Sequence, residues 1–448
     1  MKMNRITSNI LFYMLVIIAT LSIYRIDRTF TDVKVLLSNL LLIFLSMLFM
    51  IYGDPYNYSL NKIFFLFSFF FFGIAPAIQY QKGIVLWSRQ FYTSRNYFQM
   101  NLLLLFILVV YQALYLLFSK TKSSLMERKI VRLNNRERKI SNWGLLFVTF
   151  FSLVVSLFVY QFSLANLLVR GGVTIFEDSS ISLIYFNFIR PIPAIALFFF
   201  KKKKNNNRYV ETILWLILLV TNFPLAAARF YIAALYIPIF LIYVKQMEDR
   251  YLFLNQVLII GLLIVFPFLD QVRRMTDLSE LSLKTIDFKM FLEGHFDSYQ
   301  MFMHVVVYRT VTYGKQLLTA LLFFVPRSLW PQKSVGSGSY VAEKYHFIFD
   351  NISMNYFGEG YINFGYVGIF LFVVILAYFN ARYDKFFWTR IKTGTPLDIY
   401  YLQSLGLQFF LLRGDLLSGI AFLTGIFVST LVVYKIVSYP LERVPWYK

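Results

Sequence analysis

The chain has 448 residues, of which 58% are hydrophobic, 20% aromatic and only 15% charged. Soluble domains carry roughly 25% charged residues, so this balance excludes an ordinary soluble enzyme and points to a polytopic membrane protein. The net charge of +21 does not signal nucleic-acid binding, because most basic residues lie in short loops between apolar stretches, and the absence of cysteine removes disulfides and thiolate metal sites.

Apolar segments of the length a bilayer demands recur along nearly the whole chain. The charge pattern of Met1 to Asn9 resembles a signal peptide. The run that follows lacks a small-residue cleavage site and reads as a retained first span. In chain order the predicted spans are 9–24, 35–52, 62–80, 100–118, 143–163, 182–200, 211–223, 224–244, 251–269, 361–380, 398–412 and 416–434, twelve in all. The pair around Asn222-Phe223-Pro224 is split there because Pro suits the first position of a helix. Lys and Arg concentrate at Lys2 and Arg5, at Lys62, from Lys120 to Lys139, in KKKKNNNR at 201–208, at Lys245 and Arg250, and in the 381–397 loop. By the positive-inside rule these segments and both termini face the cytoplasm. The basic runs are expected to be topology anchors that meet anionic headgroups.

The expected organisation is an all-α polytopic protein with an N-terminal bundle over 1–269, one large extracytoplasmic segment over 270–360 and C-terminal spans over 361–448. Within the outer segment, Leu317 to Val325 is too short to span and reads as an interfacial or re-entrant helix ended by Pro326. The stretch from Pro326 to Gly365 reads PRSLWPQKSVGSGSYVAEKYHFIFDNISMNYFGEGYINFG. So long a polar run sits in water or lines a wet cavity, since unpaired backbone groups in hydrocarbon cost several kcal/mol each. Long ordered loops of this kind usually form lids or binding sites.

Several residues are candidates for chemistry. Arg190 sits midway in its span beside Pro191 and Pro193, and Arg229 lies soon after Pro224. A buried arginine costs at least about 2.5 kcal/mol at the bilayer centre, so each faces either an anion in a cavity or backbone carbonyls. In LLRGDLLSG, Arg413 and Asp415 flank a turn at Gly414 and either present opposite charges to an outer pocket or cap two helices. Arg273 and Arg274 are adjacent at a membrane exit and read equally as a diphosphate clamp or as snorkelling side chains. Arg327 and Lys333 precede the Gly/Ser loop, whose backbone N–H groups suit phosphate oxygens. Glu359, flanked by Gly358 and Gly360, is the favoured base, with Glu343 and Asp350 as competitors. His295, His304 and His346 have no metal-binding spacing, so no metal site is expected.

At these residues the chain resembles the oligosaccharide repeat-unit polymerases, the Wzy-type O-antigen and capsule polymerases of bacterial inner membranes. The likeness lies in the Pro-Arg-Ser-x-Trp-Pro-x-Lys segment leading into Gly-Ser-Gly-Ser, in Glu359-Gly360-Tyr361-Ile362-Asn363-Phe364-Gly365, and in the Arg413-Gly414-Asp415 turn, with Arg229 a looser match. The resemblance implies a GT-C-like fold and a glycosyl transfer on the periplasmic face that needs no metal or other cofactor. The implied partners are undecaprenyl-diphosphate-linked oligosaccharides in the bilayer, with room for a polysaccharide chain-length regulator. It implies that Glu359 is the base and that Asp415 orients. Arg190, Arg229, Arg273, Arg274, Arg327, Lys333 and Arg413 would serve the diphosphate, with Tyr361 and Asn363 at the substrate. An O-antigen ligase and a transporter of the same lipid-linked substrate are the alternatives.

Overall fold

A computed structural model of the chain describes residues 2–22, 32–88, 90–120, 138–169, 171–176, 179–202, 207–227, 229–265, 288–389 and 396–440. These residues are almost wholly helical. The one sheet among them pairs Arg138–Ile140 antiparallel with Ser438–Pro440, Arg138 opposite Pro440. Each of the twelve predicted segments overlaps helix within the described residues. Among the described residues seven helices are long and apolar enough to cross a membrane: Val33–Tyr52, Leu60–Gln81, Ser94–Lys120, Asn142–Val159, Ser182–Lys202, Tyr356–Thr389 and Leu416–Val437. Shorter apolar helices cover Ile6–Ile18, Tyr231–Tyr243 and Phe253–Val265. This is an all-α architecture of the membrane-protein class.

The chain divides into two compact units that interleave in sequence. The first comprises Met1–Lys120, Gln246–Lys385 and Gln408–Ile420; the second comprises Thr121–Lys245, Phe386–Leu407 and Ala421–Lys448.

The first unit is built round Leu60–Gln81, which is buried on every side, as expected of a helix apolar all round. Its Phe67, Phe70, Phe71 and Phe72 pack on one another and on Phe291, Phe296 and Phe357. Residues Phe69–Ile74 widen into a π-turn just before Pro76. Proline has no N–H to give the preceding turn, and a wider turn absorbs the missing bond. The start of this helix is held by charge. The Asp384 carboxylate accepts the Leu60 and Asn61 amides and the Tyr115 hydroxyl. Lys62, read from sequence as part of the inner positive charge, is instead fully buried and paired with Asp54 at 2.9 Å. Ser59 and Asn61 also donate to Asp54, so its second oxygen is satisfied too.

Tyr356–Thr389 is two helices meeting at a kink. Phe364 has φ −141° and Gly365 has φ +62°, a left-handed value that glycine alone adopts readily. The span predicted at 361–380 therefore begins after Gly365, and Tyr361 and Asn363 belong to the short helix before the kink. A methyl group on Gly368 would lie 1.9 Å from the Gly360 carbonyl oxygen. Two bare glycines thus let the halves fold back closely enough to fix the short helix that carries Glu359.

The helix predicted to end at Pro326 runs only from Lys315 to Leu321. The reason is Lys333, whose ammonium takes the Phe323 and Val325 carbonyls at 2.6 and 2.8 Å and pulls that stretch out of helical register.

In the second unit, small residues let helices approach, as membrane helix pairs require. A methyl on Gly406 would lie 2.8 Å from Ala234 Cα, and one on Gly425 would lie 2.6 Å from Asn187 Cβ. The break near Asn222 is present, but Pro224 lies in the turn that follows rather than opening the next helix, which starts at Arg229. Asn222 holds the break: its amide donates to the Arg190 carbonyl at 2.9 Å and its own carbonyl accepts the Tyr236 hydroxyl at 3.0 Å.

Candidate functional site

Glu359 sits in the first turn of the short helix before the kink and is 1% exposed. A lone carboxylate buried this deeply is costly unless its oxygens are satisfied, and both are. Oε2 accepts the Ser337 hydroxyl at 2.7 Å, and Oε1 accepts the Leu416 amide at 2.8 Å. Ser337 opens the helix Ser337–Tyr345 at the end of the Gly/Ser loop. Leu416 opens the helix Leu416–Val437, directly after the Arg-Gly-Asp turn. Three stretches singled out in the sequence, 336–339, 359–365 and 413–416, therefore meet at one carboxyl group.

Asp415 stands next to it as a helix cap. Its Oδ1 accepts the Ser418 amide and its Oδ2 the Ser418 hydroxyl, both at 2.9 Å. Gly336 packs against this carboxylate; a methyl there would lie 3.0 Å from Oδ1. Of the two readings left open for the Arg-Gly-Asp turn, the capping one describes Asp415.

Two residues earlier, Arg413 points to the 294–297 turn. Its Nε donates to the His295 carbonyl at 2.8 Å and its Nη2 to the Gly294 carbonyl at 3.0 Å. Nη2 also lies 3.4 Å from Asp297 Oδ1. Asp297 is 1% exposed and further accepts the Trp87 indole N–H and the Ser353 hydroxyl. The Arg413 side chain remains 32% exposed, and its Nη1 donates to none of the described residues. An exposed guanidinium edge of this kind can pair with an anion.

Arg327 and Lys333 brace the loop leading in. Arg327 donates to the Lys333 and Ser334 carbonyls at 2.8 and 3.2 Å. Ser334 in turn accepts the Gln316 amide at 2.7 Å. Burial first, and then the neighbouring Arg327 charge, push the Lys333 ammonium below its ordinary pKa. Asn363 is fully buried and structural: it donates to the Glu359 carbonyl and accepts the Leu317 amide. Tyr361 is buried edge-on against Tyr366.

Arg190 belongs to the second unit and is 3% exposed. Its Nε donates to the Thr221 carbonyl at 2.9 Å, and its guanidinium lies 5.5 and 5.6 Å from the Phe186 and Tyr231 rings. Its Nη2 has no partner among the described residues. Arg229 opens the helix that carries Tyr231, but its side chain lies outside the described residues, as do Arg273 and Arg274 altogether.

Sequence reasoning missed Ser337, Asp297 and Trp87. Ser337 stood inside a quoted motif, but nothing marked its hydroxyl as the partner of Glu359. Asp297 lies 116 residues before Arg413 and 210 after Trp87, and no local pattern ties them together. His304, set aside as a metal ligand, is buried with its Nδ1 against the Tyr92 hydroxyl at 2.6 Å, and burial lowers its pKa to about 4. No group of three His, Asp or Glu side chains gathers as a metal site among the described residues. The chain matches no family model, no curated protein and no solved structure.

Proposed function

We propose that this protein is a glycosyltransferase that joins lipid-linked oligosaccharide repeat units on the outer face of a bacterial cytoplasmic membrane. On this reading the twelve helical segments are membrane spans, both termini are cytoplasmic, and 270–360 lies outside. The growing glycan moves from undecaprenyl diphosphate to the non-reducing sugar of an incoming unit. The acceptor hydroxyl oxygen bonds to the anomeric carbon while the bond from that carbon to the diphosphate oxygen breaks. The hydroxyl proton passes to Glu359, through the Ser337 hydroxyl held on Oε2. The diphosphate leaves as an anion, so it needs positive charge more than a proton, and the open edge of Arg413 supplies it.

The observation that carries the reading is the buried Glu359 carboxylate, reached by a Gly/Ser loop on one oxygen and by the amide after Asp415 on the other. A sugar hydroxyl is a poor nucleophile, and a positioned carboxylate base contributes typically 10²–10⁴-fold. Purified protein in liposomes, given lipid-linked repeat units, is expected to yield longer glycans on lipid diphosphate. Glu359→Gln is expected to slow this by about 10²–10⁴-fold at normal protein levels. Wild-type ladders from that variant would remove the base assignment. Product on core oligosaccharide instead identifies a ligase.

The transporter reading keeps one observation of its own. Arg190 is a buried guanidinium with one nitrogen that has no partner among the described residues, in a helix interrupted by a π-turn at Tyr185–Ile189. Interrupted helices with such charges mark substrate paths in transporters. Movement of unmodified lipid-linked units across the bilayer, with no change in glycan length, selects it.

A further inference from the structure

Trp87, which the proposed chemistry leaves unused, reaches Arg413 through a shared partner, Asp297. The Trp87 backbone holds φ +64°, a conformation that side-chain-bearing residues rarely adopt. Strain of this kind survives where the surroundings over-determine it and is enriched at ligand sites. Here the surroundings are specific. The indole N–H donates to the buried Asp297 carboxylate at 3.1 Å, the same carboxylate that Arg413 approaches. A methyl on Gly294 would lie 1.7 Å from the six-membered ring of the indole, so only glycine fits beneath it. Gly294 in turn offers its carbonyl to Arg413.

The Phe349 ring lies 5.2 Å from the Trp87 ring, tilted by 30°. Phe349 is 44% exposed, and exposed Asp350 and Asn351 follow it. The Ile348 amide donates to the Trp87 carbonyl at 3.3 Å and fixes the two strands of loop side by side. The result is an aromatic ledge of Trp87 and Phe349, tied through Asp297 to Arg413 and followed in the chain by exposed polar residues.

We propose that this ledge is a glycan subsite, on which a pyranose ring of the lipid-linked substrate stacks its C–H face; this rests on the polymerase reading above. A packing role alone leaves the strain at Trp87 and the exposure of Phe349 unused. An interfacial belt tryptophan turns its N–H toward headgroups and water, whereas this N–H is spent inward on Asp297. What stays outward is the exposed Phe349 ring, followed in the chain by exposed Asp350 and Asn351, beside a half-buried Trp87 whose Asp297 partner Arg413 approaches. That matches a sugar ring, which is apolar on its faces and hydroxylated round its edge.

The test uses the full chain in lipid nanodiscs and an oligosaccharide released by mild acid from the surface polysaccharide of the host strain. Saturation-transfer NMR is expected to show transfer to sugar ring C–H protons with the wild type. Phe349→Ala is expected to weaken binding about tenfold, as loss of one aromatic contact implies. Phe349→Tyr and Glu359→Gln are expected to retain it. Trp87→Ala is expected to abolish it, and the Phe349 pair keeps the test valid should that variant fold poorly. Unchanged binding by Phe349→Ala, or no transfer to the wild type, overturns the subsite. So does strong quenching of a Phe349→Trp fluorophore by brominated acyl chains, which puts the ledge in lipid. Sugar binding through Phe349 with no extension of lipid-linked units leaves the subsite standing and defeats the polymerase reading instead.

Discussion

At Ser337 a single hydroxyl decides how Glu359 exists in the interior. Glu359 is enclosed, and its Oε2 has the Ser337 hydroxyl as donor. Ser337→Ala leaves that oxygen buried and one donor short, which costs about 1–3 kcal/mol for an unsatisfied buried polar atom. The expected outcome is a lower melting temperature in detergent together with slower glycan extension, read by fluorescence-detected size exclusion and by the liposome assay. Ser337→Thr keeps a hydroxyl and is expected to recover most of both. His304 makes a second prediction at this scale. Its pKa is about 4 in the folded chain because it is buried among Tyr92, Tyr308, Tyr345 and Phe347, against an ordinary value near 6.5. The unfolded chain therefore binds the extra proton first. Stability from this group is full above about pH 6.5 and is lost as pH falls toward about 4. His304→Phe is expected to flatten that part of the stability-against-pH curve. An unchanged slope in the variant counts against the assignment.

The short helix bearing Glu359 is placed by backbone contact rather than by side chains. Gly360 and Gly368 face each other across the kink at Phe364-Gly365, with room for no methyl group at Gly368. Gly368→Ala is expected to cost about 1–3 kcal/mol through overpacking, to move Glu359 off Leu416 and to lower activity with it. Gly419→Ala is the control. A methyl there makes only an ordinary contact at 3.5 Å with Leu411, so the helix gains about 1 kcal/mol from the better helix former and keeps its function. Equal effects of the two substitutions would show that the kink does not position the site. These elements also mark what the sequence could disclose. Apolar runs were legible because hydrocarbon demands them, and helix lies at every one. The Gly/Ser loop, the Gly-Glu-Gly segment and the Arg-Gly-Asp turn were legible as polar islands in an apolar chain. Their pairing was not: no local period records that Ser337 and Leu416 meet on one carboxylate. The early end of the helix at Leu321 was equally hidden, because it depends on Lys333 twelve residues downstream reaching back for two carbonyls. Nor did charge disclose that Lys62 pairs with Asp54 in the interior, since the same lysine reads as an anchor when only its neighbours in the chain are counted.

Across the whole molecule the two classes of charge have different work. Buried ionisable side chains such as Lys62, Asp54, Asp384, Asp297 and Glu359 are each tied to helix ends or turns. The basic runs at Lys120–Lys139 and 201–208 flank apolar segments, and the proposed topology places them on the cytoplasmic side. A chain with no cysteine permits a direct test of that arrangement. Lys139 and Gln332 are both exposed and lie on segments assigned to opposite sides. In intact spheroplasts, a membrane-impermeant maleimide is expected to label Gln332→Cys at once and to reach Lys139→Cys only after permeabilisation. Both variants remove no buried contact, so each is expected to express at wild-type level. The reverse labelling pattern would put the Gly/Ser loop, Glu359 and the Arg413 turn on the nucleotide-rich side of the membrane. A lipid-linked donor would then lose its advantage over a nucleotide-activated one, because the acceptor, the leaving diphosphate and soluble sugar donors would share a compartment. The sidedness of one loop therefore bears on the reaction class as directly as any single residue in the site.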